Sequence, residues 1–166
     1  MMTNAIVYSS RTGNTKLLAD TIRTELADTC IYCGAPCEDA LKADRIYIGF
    51  WTDKGTCDEQ TAAFLQTITN QEVYLFGTAG FGESQEYFDK VLKNTSAHLP
   101  QTARVTGSFM CQGKMPMSVR ERYVKMMESP SKIPNLQGLI DNFDRARSHP
   151  DEKDLAALQQ DVRSRK

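Results

Sequence analysis

Short apolar runs of the kind found in buried strands alternate along this chain with segments of helical periodicity. The predicted strands are residues 5–8, 29–32, 45–50, 72–76 and 104–110, and the predicted helices are residues 13–26, 58–69, 84–95, 118–127 and 151–163. Strands that alternate with helices imply βαβ units and a parallel sheet covered by helices on both faces. We therefore predict an α/β fold with a doubly wound five-stranded parallel sheet in the order 2-1-3-4-5.

The length of 166 residues fits one domain that spans residues 1–166. In a doubly wound sheet, ligands bind outside the carboxyl ends of the strands, at the point where the strand order reverses. That point lies beside strands 1 and 3 in the predicted order. The loops after strands 1, 3 and 4 are therefore the places where a binding site is expected.

The loop after strand 1 is rich in hydroxyl groups and ends at a helix N-terminus. Its candidate ligand-binding residues are Ser9, Ser10, Arg11, Thr12, Gly13, Asn14 and Thr15. Free amides and the helix dipole at such a position favour an anion, and hydroxyl groups add further donors. The loop lacks the Gly-Lys-Ser/Thr ending of a Walker loop and the three-glycine spacing of dinucleotide-binding folds. The alternative is a Ser/Thr-rich helix cap that binds no ligand.

Residues 6–22, which contain this loop, resemble the N-terminal signature of the flavodoxin family. The resemblance implies a flavodoxin-like fold, FMN as the cofactor, and a loop that holds the FMN phosphate. By matching position, the implied phosphate ligands are Ser9, Ser10, Thr12, Gly13, Asn14 and Thr15.

Two further loops contain the residues expected to face the flavin ring. After strand 3 comes the only tryptophan, Trp51, followed by Thr52 and Asp53. The resemblance implies that Trp51 stacks on the flavin, whereas the alternative is a Trp at the edge of the core. After strand 4, the candidate residues are Thr78, Ala79, Gly80 and Phe81. Phe81 is the nearest match to the aromatic residue that covers the outer flavin face in flavodoxins.

Residues 49–56 and 109–114 are similar to a narrower group, the flavodoxin-like proteins encoded beside bacterial bilirubin reductase. This resemblance implies electron delivery to a partner reductase that converts bilirubin to urobilinogen. No histidine lies close to Cys111 in the sequence, so we do not predict Cys111 as a nucleophile. Lys114 is a candidate for contact with an anion or a partner protein.

Three functions are compatible with these motifs. The first is an FMN-binding electron carrier that serves a dedicated redox partner protein, a reductase, with no catalytic residue of its own. The second is an NAD(P)H-dependent FMN or quinone reductase, which needs a nucleotide site for which the sequence shows no distinct motif. The third is a flavodoxin-like module that has lost FMN and only binds proteins.

Charge and composition narrow the class of protein further. The formal net charge of −1 gives no basic surface for nucleic acid, and it departs from the strongly acidic character of flavodoxins that serve many partners. No apolar run is long enough to span a membrane, and no signal peptide is apparent, so we expect a cytoplasmic protein. Of five cysteines, Cys30, Cys33 and Cys37 lie close together, but without a fourth ligand nearby we predict no metal site.

Overall fold

The computed structural model describes residues 1–82, 84–129 and 134–166. The strands are β1 (Asn4–Tyr8), β2 (Cys30–Gly34), β3 (Arg45–Asp53), β4 (Thr56–Cys57), β5 (Glu72–Ala79) and β6 (Arg104–Gln112). The helices are α1 (Asn14–Glu25), α2 (Glu59–Leu65), α3 (Gln85–Ser96), α4 (Met117–Glu128), α5 (Leu136–Ala146) and α6 (Glu152–Arg163). A short 3₁₀ helix covers Glu38–Lys42.

The central sheet has the strand order β2-β1-β3-β5-β6, and every neighbouring pair along this path is parallel. The two-residue strand β4 is off this path and pairs antiparallel with the end of β3. The strands β5 and β6 are thus the fourth and fifth parallel strands. The predicted doubly wound α/β fold with the order 2-1-3-4-5 is confirmed, and the hairpin formed by β3 and β4 is an addition that the sequence pattern did not predict.

Helices cover both faces of the sheet because side chains alternate between the two faces along each strand. On one face, Val7 and Leu75 belong to a buried cluster with Phe64 of α2 and Val91 of α3. On the other face, Ile6 and Phe76 belong to a second cluster, which contains Leu18 of α1 and Leu158 of α6.

The structure differs from the predicted elements at the C-terminal ends of two strands and of α2, which ends at Leu65, four residues before the predicted end at residue 69. Strand β3 continues to Asp53 and β5 continues to Ala79, so both extend three residues beyond their predicted ends. Helix α5 was not predicted, although Phe143 and Ala146 are fully buried. Within the described ranges, no helix has the length and apolar character needed to cross a membrane.

Candidate functional site

The carboxyl ends of β1, β3, β5 and β6 surround an open cleft. Its lining consists of Arg11, Thr12, Asn14, Trp51, Thr52, Asp53, Thr78, Ala79, Gly80, Gly113, Lys114, Met115, Pro116 and Val119. The lining residues from Arg11 to Gly80 were all candidates from the sequence. Those from Gly113 to Val119 come from the loop after β6 and the start of α4, and of these only Lys114 was a candidate from the sequence, for contact with an anion or a partner protein.

The backbone of the loop after β1 presents hydrogen-bond donors with no partner. Helix α1 begins directly after Gly13, which adopts a left-handed φ of 91° that favours glycine. Within the described chain, the backbone N–H groups of Thr12, Asn14 and Thr15 donate no hydrogen bond. Unpaired N–H groups at a helix N-terminus bind anions readily, so the loop can hold a phosphate group.

The side chains of this loop divide between the cleft and the protein interior. Ser10 Oγ accepts hydrogen bonds from the N–H groups of Gly13 (3.2 Å) and Lys16 (3.3 Å), and it thus braces the loop internally. Thr15 is buried, and its hydroxyl donates to the carbonyl oxygen of Phe50 at 3.1 Å. Thr12 lines the cleft, whereas Ser9 is largely buried beside β3.

Asn14 links the loop after β1 to the loop after β6. Its Nδ2 donates to the carbonyl oxygen of Lys114 at 2.8 Å. Gly113 passes so close that a Cβ there would lie 2.5 Å from the same nitrogen. The Oδ1 of Asn14 is buried and has no hydrogen-bond partner within the described residues. An unpaired buried acceptor costs about 1–3 kcal/mol, so this atom fits a donor supplied by a ligand.

Trp51 lies at the mouth of the cleft, in the part of β3 that forms the hairpin with β4. Its carbonyl oxygen accepts a hydrogen bond from Asp58 N at 3.2 Å, which anchors the hairpin. The guanidinium carbon of Arg11 lies 5.5 Å from the centroid of the Trp51 ring, in a cation–π contact. Thr52 Oγ1 donates to the carbonyl oxygen of Thr78 at 2.8 Å, so the C-terminal ends of β3 and β5 are held together.

The structure does not bring Phe81 into this cleft. Phe81 is 42% exposed, makes an edge contact with the Tyr87 ring at 6.3 Å, and lines a separate groove beside α5. Gly80 does line the cleft, and it packs closely against Met115, because a Cβ at residue 80 would lie 2.5 Å from Met115 Sδ. Residue 83 of the same loop lies outside the described residues.

Two groups with chemically reactive side chains lie near the cleft without lining it. Burial raises the pKa of the Cys111 thiol, and Asp154 and Asp151 raise it further, which disfavours the thiolate that a nucleophilic cysteine needs. His149 Nδ1 lies 2.7 Å from Asp154 Oδ2 and 3.7 Å from Asp151 Oδ2. Both carboxylates already accept N–H groups at the start of α6, which makes this cluster a helix cap.

A model of the flavodoxin domain family matches residues 5–163 of the chain. The chain is 39% identical to the flavodoxin-like domain-containing protein BilS of Clostridium symbiosum, over 95% of this chain and 93% of that protein. It is 30% identical to the protein of the same name from Clostridioides difficile, over 93% of this chain and 90% of that protein.

Among solved structures, oxidised flavodoxin 2 from Bacillus cereus is similar in fold, with a TM-score of 0.54 and 17% identity, and the match covers 96% of this chain and 94% of that chain. A flavoprotein from Lactobacillus acidophilus, solved in complex with FMN, gives a TM-score of 0.55 and 16% identity over 67% of this chain and 94% of that chain. At these identities, the two structures support the fold alone.

Proposed function

This chain belongs to the flavodoxin domain family and is an FMN-binding electron-transfer protein, and we propose that it serves one dedicated partner reductase. The observation that supports FMN binding most directly is the loop after β1, where unpaired N–H groups and the Thr12 side chain meet at the start of α1. The remaining question is which proteins or molecules exchange electrons with the bound cofactor.

The residues of the cleft fit FMN. A phosphate group needs hydrogen-bond donors, and the N–H groups of Thr12, Asn14 and Thr15 are free to donate. A ribityl chain carries hydroxyl groups, and Asn14, a residue that lines the same cleft, has a buried Oδ1 acceptor without a partner within the described residues. A flat ring system needs an aromatic or planar partner, and the Trp51 and Arg11 side chains supply planar groups at the mouth.

FMN supplies the redox chemistry when it is bound, and the side chains of this chain bind it and tune its potential. In this proposal, Thr12 and the loop amides hold the phosphate, and Trp51 stacks on the flavin ring. Arg11, Asp53 and residues 78–80, which line the cleft, would border the ring and exclude water from part of its surface. A single stacked ring or nearby charge matters, because a shift of about 59 mV in a one-electron couple is a tenfold change in equilibrium.

The choice of a dedicated partner rests on charge and on similarity. The net charge of −1 gives little long-range steering toward many basic partners. The motifs at residues 49–56 and 109–114 resemble those of flavodoxin-like proteins encoded beside bilirubin reductase, and the two relatives named BilS support an assignment to this narrower group. We therefore propose a bilirubin-reducing enzyme as the electron acceptor.

The proposal is tested by adding the reduced, FMN-loaded protein to a bilirubin reductase under anaerobic conditions and following the loss of bilirubin. We expect faster loss than with an equal concentration of free reduced FMN, because a specific protein contact positions the flavin for transfer. Equal rates with the protein and with free FMN would remove the case for a dedicated partner.

The alternative of an NAD(P)H-dependent FMN or quinone reductase is tested with the same preparation. If the protein is a carrier, addition of NADPH or NADH under anaerobic conditions should leave the flavin absorbance at about 450 nm unchanged. Rapid bleaching by either nucleotide would instead identify a reductase. Protein that is purified without flavin and takes up no FMN would refute both functions.

A further inference from the structure

A second pocket adjoins the loop after β1 on the side away from Trp51. Its volume is about 270 Å³, and it lies between residues 12–17 and residues 147–150. Gly13 and Asn14 of the loop after β1 line this pocket, together with the basic residues Lys114, Arg147 and His149. The unpaired N–H groups at the start of α1 thus lie close to a group of basic residues that is distant in the sequence.

Two of these basic side chains form no direct salt bridge in the described part of the chain, although Arg147 interacts electrostatically with Asp144. Within the described residues, neither Lys114 nor Arg147 forms an ion pair, and both are exposed. The acid nearest to Arg147 in its own helical segment is Asp144, which is already bridged by Arg120 at 2.9 Å. His149 differs, because its ring faces Asp151 and Asp154, and it is therefore not part of the proposal.

The backbone around Lys114 holds this arrangement in place. The carbonyl oxygen of Lys114 accepts a hydrogen bond from Asn14 Nδ2 at 2.8 Å, and its N–H donates to the carbonyl oxygen of His149 at 2.9 Å. The residue is thus hydrogen-bonded both to the loop after β1 and to the segment that follows Arg147. Arg147 itself is the C-terminal cap residue of α5, which packs against the rest of the domain through buried Phe143 and Ala146.

We propose that Lys114 and Arg147 form a cationic flank of the loop after β1 that binds the phosphate of FMN and favours FMN over riboflavin. The proposal rests on the proposed function, because it assumes that the loop holds the FMN phosphate. Amides and hydroxyl groups donate hydrogen bonds to a phosphate but leave its two negative charges without a counter-ion. Two unpaired cations beside the loop supply that charge, and their effect should weaken as salt screens it.

The proposal is tested by titrating FMN and riboflavin into flavin-free protein at low salt, with Trp51 fluorescence as the signal. The variants are Lys114→Gln, Arg147→Gln and the double variant, and Lys90→Gln on α3 is the matched control, an exposed lysine that forms no ion pair within the described chain. Each single variant should bind FMN about threefold to fivefold more weakly, and the double variant more weakly still, as expected for exposed charge pairs. Riboflavin affinity and the thermal midpoint should match those of the parent.

Inorganic phosphate provides a second measurement. It should compete with FMN for the parent protein, and competition should require a higher phosphate concentration in the double variant. Raising the ionic strength should reduce the difference between parent and double variant in FMN affinity.

If the double variant binds FMN as tightly as Lys90→Gln does, the inference is overturned, although the FMN site itself stands. Equal weakening of FMN and riboflavin also overturns it, because the two residues then act on the cleft in general and not on the phosphate. A parent protein that binds no FMN is a different result, which refutes the proposed function from which the inference starts.

Discussion

Thr12 and Thr15 lie in the same loop, yet the structure places their hydroxyl groups in different surroundings. Thr15 is 1% exposed, and its hydroxyl donates to the carbonyl oxygen of Phe50 at 3.1 Å, so it joins the start of α1 to β3. Thr12 is partly exposed and lines the cleft. We therefore expect Thr15→Val to lower stability with little effect on FMN binding, and Thr12→Val to lower FMN affinity with little effect on stability.

The sizes of the two effects follow from the interactions that are lost. Removal of the buried Thr15 hydroxyl costs about 1–2 kcal/mol, because the Phe50 carbonyl loses a donor that water does not replace. For a domain of this size, that cost lowers the thermal midpoint by roughly 2–8 °C. Removal of a hydroxyl that donates to a phosphate costs about 1.5–3 kcal/mol, which weakens FMN binding by roughly 10-fold to 100-fold.

Both quantities are measured on the same three proteins. Thermal unfolding followed by circular dichroism gives the midpoint, and titration of flavin-free protein with FMN gives the dissociation constant. The reasoning is refuted if Thr12→Val binds FMN within about twofold of the parent. It is also refuted if Thr15→Val loses FMN affinity to the same extent as Thr12→Val and keeps the midpoint of the parent.

Three further predictions concern other parts of the molecule. Trp51→Ala should weaken FMN binding by about twofold to tenfold, and Trp51→Phe by less, as titrations followed by flavin fluorescence would measure. Burial raises the pKa of the Asp161 carboxyl, but hydrogen bonds from Arg165 and Tyr74 outweigh it and hold the pKa below its ordinary value. The ionised Asp161 carboxylate therefore stabilises the fold above the ordinary carboxyl pKa, and this contribution is lost as the pH falls through the pKa of the folded state. In urea unfolding, the free energy of unfolding of Asp161→Asn should therefore decrease less than that of the parent between about pH 5 and pH 2. Two of the five thiols are buried, so a thiol reagent should modify no more than three of them in the folded protein and all five in denaturant.

The parts of the site that the sequence predicted are those encoded by a continuous stretch of chain. Residues 9–15 lie directly between a strand and a helix, so their position at the carboxyl edge of the sheet follows from the alternation of elements alone. The same holds for Trp51 and Thr78, which lie near the ends of β3 and β5. Local pattern sufficed for these residues because the parallel topology places consecutive strand ends at one edge.

The details of side-chain direction were not accessible to the same reasoning. A hydroxyl at Thr15 can serve a phosphate or a carbonyl, and only the packing of α1 on β3 selects Phe50 as its partner. Phe81 matches an aromatic position by sequence, but its ring contacts Tyr87 and borders α5. In both cases a contact between distant residues decides what a local pattern leaves open.

Helix α5 was not predicted, although its apolar residues have the spacing of an amphipathic helix. Leu136, Ile140 and Phe143 have helical spacing and are buried, while Gly138 interrupts the pattern and weakens helical propensity by about 1 kcal/mol relative to Ala. The helix forms because its apolar face packs on the domain, which outweighs that local cost.

The position of α5 explains why the site has two sides that differ in chemistry. Asn142 of α5 donates to the carbonyl oxygen of Gly80 at 2.9 Å, and Gln112 of β6 donates to the same oxygen at 2.9 Å. The helix is thereby attached to the loop that borders the cleft, and its C-terminal end carries Arg147 to the pocket beside Gly13. In the proposed binding mode, the flavin side of the cleft is built from strand ends that are adjacent in the sheet, whereas the positive charge of Arg147 reaches the phosphate side from the end of α5, the second helix after the last strand. Because α5 is held in place by its buried apolar face and by these long-range hydrogen bonds, we expect the affinity for the phosphate to depend on tertiary packing as well as on the loop sequence.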